Sequence, residues 1–419
     1  MKPTVPLFLA AALLVACNST RPPATPASAS FAGFLAATRT ATADAYVGRE
    51  GFAVADAAEL ERMRAHLLLL YEGVTSSRVV QDTAGTTFDC IPIEQQPSLR
   101  GGKPLLTPPS LTLTSGDASE TGPRGAAVQP KGIGCDGGTI PMRRSTLEEM
   151  ARFRTLHEFL TGDKRDEMVG NVKTHYYAVA RQHGVAYGAG ADINIWQPAV
   201  PANINASSIS QLWVVGAADS VTQTAETGWI VYPQKFKTSA PVLFVYWTAN
   251  SYASGCYNLD CPGFVQTNGN WALGGAIGPI SQSGGTQSTM QYAWRRDPAE
   301  GAWWLFFGPV GSVQVFGYFP QSLYGTGQMS KHATRVSFGG ETVIATPGVP
   351  AGQMGSGAFA SAGYGQAAFQ KNLIYFPTDN AMALVKPTGI QPTPECYTVT
   401  VTTDPGLTYM YFGGPQCPP

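Results

Sequence analysis

Residues 224–232 read TAETGWIVY, a run of Thr, Trp, Ile and Val that is typical of a β-strand. From Tyr176 onward, similar runs alternate with clusters of Gly, Asn, Pro and Ser roughly every ten residues. The clearest candidate strands are residues 211–215, 229–232, 242–248, 303–307 and 373–376. This spacing predicts an antiparallel β-sandwich or barrel in the C-terminal part of the chain.

The segment ahead of this region has a different pattern. Residues 54–73 have apolar side chains at helical spacing and predict an amphipathic helix. Residues 145–162 predict a second helix, with Ser145 and Glu148 placed as a capping box. Residues 101–131, between them, are rich in Gly, Pro, Ser and Thr and predict a loop.

The N-terminus has the features of an export signal. Lys2 precedes an apolar run, residues 7–16, that is too short to cross a bilayer as a helix. The run ends in LVAC at 14–17, which is similar to the site where bacterial lipoproteins are cut and acylated, so Cys17 is predicted to anchor the protein to a membrane. Residues 18–30 predict a flexible tether. An ordinary secretory signal with an incidental cysteine is the alternative.

Six cysteines remain once Cys17 is set aside, and an even number in an exported protein favours disulfides. Zinc is the competing use, but there is no CxxC pair and no close pair of histidines, so no metal or other cofactor is expected. Six cysteines allow fifteen pairings. Sequence order suggests Cys90–Cys135, Cys256–Cys261 and Cys396–Cys417.

Charge and motifs argue against several functional classes. The formal net charge is −1 with no basic stripe, so nucleic-acid binding is disfavoured. The sequence has no HExxH, no Gly-x-Ser-x-Gly elbow and no glycine-rich phosphate loop. The histidines are scattered, and each is expected to be structural or solvated: His66, His157, His175, His183 and His332.

Three glutamates lie between residues 184 and 386. Glu300 follows Asp-Pro-Ala in a predicted hairpin turn and is expected to face solvent. Glu226 and Glu341 instead lie in the strand-like sequences TAETGWIVY (224–232) and VSFGGETVI (336–344). Period two places Gly228 beside Glu226 and Gly339 beside Glu341, which leaves room for a backbone or a ligand to approach.

Two carboxylates on one concave sheet could divide acid and base chemistry between them. One would activate a water molecule while the other protonates the leaving group. The alternative is two unrelated glutamates at strand edges, because a sequence separation of 115 residues does not establish proximity.

Longer segments of the β-rich region are specific enough to compare with known families. They are TAETGWIVYP (224–233), YWTANSYASGCYNLDCPGFVQ (246–266), WWL (303–305), FGGE (338–341), QMGSG (353–357) and YFGGPQCPP (411–419). Upstream, DCIPIEQQP (89–97) and TIPMRR (139–144) are typical of a pro-region. Together these segments resemble the neprosin family, secreted proline-directed endopeptidases of the glutamic class.

The resemblance implies a mostly β protein. Its antiparallel β-sandwich catalytic domain would span residues 167–419 and follow a smaller mixed α/β pro-region over residues 31–166. The resemblance also implies that Glu226 and Glu341 form a dyad that cleaves peptide or protein substrates, preferably proline-rich ones and after proline, without a metal. It further supports the Cys256–Cys261 bridge.

Aromatic residues near the first glutamate could stack on a proline ring, although plain core packing fits them equally well: Trp229, Tyr246 and Trp247. Around Glu226, this chain differs from the pattern of the family's plant members at Ala225 and Thr227. The resemblance therefore implies peptidase chemistry more directly than a preference for proline. A glycoside hydrolase using the same carboxylates and a non-catalytic surface-binding sandwich are the alternatives.

We expect the pro-region to inhibit the enzyme until acid releases it. Its carboxylates, among them Asp89, Glu94 and Glu120, would hold it in place by charged hydrogen bonds at neutral pH. Protonation would weaken these bonds. Full-length protein is therefore expected to be nearly inert at about pH 7 and to be shortened by acid to a fragment starting within residues 163–176.

Overall fold

The computed structural model describes residues 30–110, 126–127, 133–162, 174–202, 204–345, 348–379 and 381–418. Cys17, Glu120 and the predicted pro-region boundary at residue 166 lie outside the described residues. No helix in the described ranges is long and apolar enough to cross a membrane.

The helices lie mainly in the N-terminal region. They are α1 (Phe31–Thr40), α2 (Ala57–Leu70), α3 (Leu147–Met150), α4 (Leu156–Thr161) and α5 (Pro233–Phe236), and short 3₁₀ helices occupy Ala43–Ala45, Ile93–Gln95, Pro97–Leu99, Gln321–Tyr324, Gln328–Ser330 and Ala360–Ala362. Helix α2 confirms the prediction for residues 54–73. Helix α1 was not predicted, and Ser30, assigned to the tether, caps its first turn.

The single helix predicted over residues 145–162 is wrong. Helix α3 ends after one turn because the backbone oxygen of Ala151 accepts hydrogen bonds from Ala53 and Val54 instead of continuing the helix. The capping box of α3 is formed by Thr146 and Glu149, one residue later than predicted. A new cap at Thr155 then starts α4.

The described residues form strands β1 to β20. In chain order these are Arg78–Gln81, Thr87–Pro92, Ala126–Ala127, Thr139–Arg143, Thr174–Ala186, Gly188–Asn194, Ala206–Ala218, Val221–Val231, Val242–Thr248, Gly255–Tyr257, Val265–Gln266, Ser288–Arg296, Trp303–Pro309, Gln314–Phe319, Ala333–Ile344, Ala368–Thr378, Ala381–Leu384, Thr388–Ile390, Thr398–Asp404 and Leu407–Gly413. All five candidate strands from the sequence fall on these elements, except for Tyr232 at one end.

Two large sheets form the sandwich. The first has the order β10-β9-β8-β7-β15-β5-β18, and the second has the order β11-β14-β13-β12-β6-β16-β20-β19, with β17 beside β16 and β3 beside β12. Apart from β3 with β12, the paired strands in both sheets run antiparallel. Strands β1, β2 and β4 form a separate sheet in the N-terminal region. The predicted mostly β, antiparallel sandwich is therefore confirmed.

A continuous apolar core fills the space between the two large sheets. Trp303 faces this core, whereas its neighbour Trp304 points to the outer side of the second sheet. There the N-terminal region covers Trp304 with Leu99 and Leu106. The N-terminal region thus packs directly on the sandwich.

Three disulfides join neighbouring segments. Cys90 pairs with Cys135, Cys256 with Cys261, and Cys396 with Cys417. These are the pairs suggested by sequence order, so that prediction is confirmed. Disulfides persist in oxidising compartments, and their presence indicates an extracellular protein.

Candidate active site

Glu226 and Glu341 lie on two strands that flank the same central strand. Strands β8 and β15 both pair with β7, and Glu226 is opposite Trp213 while Glu341 is opposite Ile209. Opposed residues share a face of a sheet, and Ile209 and Trp213 are an even number of residues apart on one strand. Both carboxylates therefore point to the same face of the first sheet.

This face is turned away from the second sheet. On the reverse face of β7, Ser210 accepts a hydrogen bond from Gln370 of the second sheet at 3.0 Å. Trp229, on the reverse face of β8, is fully buried and donates through Nε1 to the backbone oxygen of Asn194 at 2.9 Å. The structure therefore places Trp229 in the core, which corrects its predicted contact with substrate.

Of the other two predicted aromatic residues, only Tyr246 shares the face of the carboxylates. Tyr246 is opposite Glu226, whereas Trp247 is opposite Ala225 and points the other way. Trp247 packs against Gly263, where an added Cβ would lie 2.3 Å from the indole nitrogen. Trp247 is thus a packing residue, and Tyr246 alone stays beside the site.

Gln211 lies on β7 between the two carboxylates. It is opposite Gly228 on β8 and Gly339 on β15, the two glycines singled out in the sequence. Its Nε2 donates to Glu341 Oε2 at 3.0 Å, and the residue is fully buried. A Cβ on Gly228 would lie 2.7 Å from Gln211 Cα, so glycine is required for β7 and β8 to approach this closely.

Glu341 is held by two nitrogen atoms. Besides Gln211 Nε2, His175 Nδ1 lies 2.7 Å from Glu341 Oε1, and the two side chains are 4% and 3% exposed. Tyr177 is opposite Glu341 and stacks on the imidazole with ring centroids 6.1 Å apart. An amide nitrogen can only donate, so this arrangement favours the ionised form of Glu341.

Glu226 is held by hydroxyl groups instead. Thr224 Oγ1 donates to Glu226 Oε1 at 2.8 Å, and the Tyr252 hydroxyl donates to the same oxygen at 3.2 Å. The carboxyl group is fully buried. Both donors are hydroxyls, which can also accept a hydrogen bond.

Two phenols near the carboxylates remain neutral over a wide pH range. Burial, followed by the charge of Glu226, raises the pKa of Tyr252 well above its usual value. Burial, followed by the charges of Glu341 and Glu226, raises the pKa of Tyr257 in the same way. Both hydroxyls therefore keep their protons at acidic and neutral pH and can act as hydrogen-bond donors.

A strained turn presents Tyr252 to Glu226. Ser251 and Tyr252 have φ values of +56° and +61°, the left-handed region that side chains with a Cβ rarely adopt. The Tyr252 backbone nitrogen donates to Thr248 Oγ1 at 2.8 Å, and that of Ser251 donates to the Thr222 oxygen at 2.8 Å. Strain maintained in this way is common at functional sites, and here it aims a phenol at a carboxylate.

Sequence reasoning missed several residues that contact the carboxylates, among them Gln211, His175, Thr224 and Tyr252. His175 was expected to be structural or solvated, and its imidazole is buried against Glu341. Gln211 had a usable signal, since it interrupts the otherwise apolar face formed by Ile209 and Trp213.

In the described ranges, no group of three or more His, Cys, Asp or Glu side chains is placed to hold a metal ion.

The chain matches one family model and is similar to solved structures of peptidases. The family model described as Neprosin matches residues 205–415, which include Gln211, Glu226 and Glu341 but not His175. The chain is similar to the structure of scytalido-glutamic peptidase with a peptide-based transition-state analogue, with 8% identity and a TM-score of 0.30 over 57% of this chain and 98% of that chain. It is also similar to SCP-B, a member of the eqolisin family of peptidases in complex with Ala-Ile-His, with 8% identity and a TM-score of 0.27 over 58% of this chain and 99% of that chain.

Proposed function

The chain belongs to the neprosin family of glutamic peptidases, and we propose that Glu226 and Glu341 are the dyad that hydrolyses the peptide bond. The observation that carries the proposal is their placement on one face, on either side of β7, with nitrogen atoms of Gln211 and His175 on Glu341 and hydroxyls on Glu226. A pair of buried carboxyl groups in different surroundings is what division into acid and base requires.

The partners of the two groups suggest their roles. Glu341 faces nitrogen donors from Gln211 and His175, which favour a carboxylate, so we assign it as the base. Glu226 faces the hydroxyls of Thr224 and Tyr252, which can both donate and accept and therefore suit a carboxylic acid as well as a carboxylate, so we assign it as the acid.

The proposed reaction proceeds in two steps. Glu341 takes a proton from water as the water oxygen bonds to the scissile carbonyl carbon, while protonated Glu226 polarises the carbonyl oxygen. Glu226 then protonates the nitrogen as the carbon–nitrogen bond breaks. The proton held by Glu341 passes back to Glu226, which restores the starting state.

Cleavage after proline remains part of the proposal. Tyr246 and Tyr252 form a stacked pair beside Glu226, with ring centroids 6.2 Å apart. Tyr257 meets Tyr246 edge-on at 4.8 Å. Tyr246 and Tyr257 are buried, whereas Tyr252 is half-buried and is the ring that offers apolar surface to a pyrrolidine ring.

The products that the protein releases test the proposed function. Full-length protein exposed to acid should release peptides from a proline-rich protein and no reducing sugar from a polysaccharide. Reducing sugar would favour the glycoside hydrolase reading, and neither product would favour a binding sandwich. Comparing substrates with Pro and with Ala before the scissile bond measures the proline preference separately.

We also propose that residues 31–166 are an inhibitory pro-region. Several of its carboxylates accept hydrogen bonds or form ion pairs with the sandwich: Asp82 with the Ala276 backbone nitrogen at 2.8 Å, Glu148 with Lys237 at 2.9 Å and Glu158 with Asn205 at 2.7 Å. Asp89 was expected to act in this way but instead pairs with Arg144 inside the N-terminal region at 2.6 Å. The carboxylates that hold the N-terminal region on the sandwich are therefore Asp82, Glu148 and Glu158 rather than Asp89.

A buried polar cluster strengthens this interface. Ser145 donates to Asp260 of the sandwich at 3.1 Å. Lys235 pairs with the same carboxylate at 2.8 Å and donates to the Phe159 backbone oxygen at 2.7 Å. Burial lowers the pKa of Lys235, with Asp260 opposing that effect. Loss of the Asp260 charge would therefore leave the buried Lys235 ammonium without this opposite charge.

Processing by acid is a direct test of the pro-region. Full-length protein should be nearly inert at neutral pH, and the double variant Glu148→Gln, Glu158→Gln should be shortened at a higher pH than the parent protein. Glu300→Gln, on an exposed turn, is the matched control and should leave the processing pH unchanged. Full activity at neutral pH without shortening would remove the inhibitory role.

We further propose that Cys17 carries lipid and anchors the protein to a membrane. The multiple chains of a bacterial lipoprotein would hold firmly where a single chain binds only weakly. Cys17→Ser should release the protein from the membrane or stall its processing. Unchanged membrane partition of that variant, or a mass without acyl chains, would point to simple secretion.

A further inference from the structure

The two ends of the buried Gln211 side chain differ in their hydrogen bonding. Its Nε2 donates to Glu341, whereas its Oε1 is buried and has no hydrogen-bond partner among the described residues. With its nitrogen on Glu341, the amide oxygen points elsewhere. Gln234, Gln266 and Gln370 also bury an Oε1 without a partner among the described residues, but Gln211 is the one that lies on β7 between the strands of Glu226 and Glu341. A buried acceptor at that place calls for a ligand or a bound water.

The side chain of Gln211 lies on the same face of the first sheet as the two glutamates. Its neighbours on both flanking strands are glycines, Gly228 and Gly339, which have no side chains to cover it. Glu226 lies on β8 and Glu341 on β15, so Gln211 occupies the row between the two proposed catalytic groups. A small donor bound there would touch Gln211 and Glu341 together.

We propose that Gln211 positions the attacking water, an inference that rests on the proposed dyad. One water hydrogen donates to Gln211 Oε1 and the other to the Glu341 carboxylate, which leaves a lone pair aimed at the substrate carbonyl carbon. As the carbon–oxygen bond forms, the second hydrogen moves to Glu341 and the first stays in the product acid. The amide of Gln211 thus holds the base with one end and the nucleophile with the other.

Two substitutions at this position separate water positioning from support of the fold. Gln211→Leu keeps the approximate size but removes both polar atoms, so kcat should fall about 100-fold with KM nearly unchanged. Gln211→Glu places a third carboxyl beside Glu341. When protonated, it matches the amide, with one oxygen donating to Glu341 and the other accepting from water. Its kcat should therefore recover about tenfold as the pH falls, and that of Gln211→Leu should not.

The assays use the full chain after acid exposure, over a range of acidic and neutral pH. Gln370→Leu is the matched control, because Gln370 is also buried and reaches the same strand from the second sheet. It should lower the melting temperature and leave the shape of the pH profile unchanged. If Gln211→Leu fails to fold, the acid recovery of Gln211→Glu still decides the question.

Three results would overturn the inference: Gln211→Leu retaining kcat within about threefold of the parent, a rise in KM alone, or a Gln211→Glu profile parallel to that of the parent. Failure of the dyad itself is distinguishable. An active Glu341→Gln variant refutes the proposed function, whereas an inactive Glu341→Gln beside an active Gln211→Leu refutes only the role of Gln211.

Discussion

The two large sheets bury carboxyl groups on their outer faces in different ways. On the first sheet, Thr224 and Tyr252 donate to Glu226, and Gln211 and His175 hold Glu341. On the second sheet, Asp192 is equally buried but receives one, from Asn372 at 2.7 Å, and its Oδ1 has no partner among the described residues. Burial raises the pKa of Asp192 to about 6, against the opposing effects of Lys371 and Asn372. The carboxyl groups of the first sheet thus have hydrogen-bond partners on several sides, whereas the ionised form of Asp192 lowers the stability of the fold.

The largest effect should come from the first sheet. Glu226→Gln and Glu341→Gln should each lower kcat by about 10²- to 10⁴-fold, because each removes a group that transfers a proton. Glu300→Gln makes the same chemical change on an exposed turn and should retain full activity. Near-parental turnover by either buried variant, with an unchanged melting temperature, would take that glutamate out of the mechanism.

The opposite response is expected at Asp192. Its pKa is raised from 3.8 to about 6 in the folded protein, so the unfolded chain ionises first and the fold loses stability as the pH rises through that window. Asp192→Asn should therefore stabilise the protein at neutral pH by at most about 3 kcal/mol. The gain should vanish below about pH 4, where both states are protonated. Denaturant unfolding at both pH values measures it, and an equal gain at the two would contradict the assignment.

A smaller loss of activity should follow from removing one donor to Glu341. His175→Leu should lower kcat by about 10- to 100-fold, since the proposed base would lose its contact with the imidazole while keeping the hydrogen bond from Gln211. In His175→Asn, the amide nitrogen takes the place of Nδ1 and should restore part of that loss. Equal activities of the two variants would show that the imidazole acts by shape and not by hydrogen bonding.

The smallest loss of activity should follow from removing a hydrogen-bond donor to Glu226, the proposed acid. Tyr252→Phe removes only the hydroxyl, and Thr224 still donates to Glu226. We expect kcat to fall by up to about tenfold, at every pH tested, because the Tyr252 hydroxyl keeps its proton throughout. A loss confined to one pH range would mean that this phenol titrates during the reaction.

The sequence could predict the parts of the site that lie in regular strands. Glu226 and Glu341 stand out because few acidic residues occur in strand-like runs of the β-rich region, and period two relates each to its glycine. The start of β8 was missed because residues 221–224 are mostly polar, yet they pair with β7 through the backbone. Backbone pairing requires no apolar side chains, so composition alone does not reveal it.

Contacts between distant segments could not be predicted. His175 lies 166 residues from Glu341, and only the pairing of β5 with β15 brings them together. Tyr252 depends on two left-handed residues in a turn whose sequence, ANSYAS at 249–254, contains no glycine. The two short helices in place of the one predicted over 145–162 likewise depend on a distant partner, the backbone of Ala53 and Val54.

The position of His175 has a consequence for maturation. Strand β5 begins at Thr174, so the imidazole that contacts Glu341 belongs to the second residue of that strand. A cut before residue 175 leaves this contact in the fragment, whereas a cut after it removes the contact permanently. A fragment that begins at residue 175 therefore still contains this contact. Under the proposed removal of the pro-region, trimming by one more residue would lower activity permanently, to the extent expected for His175→Leu.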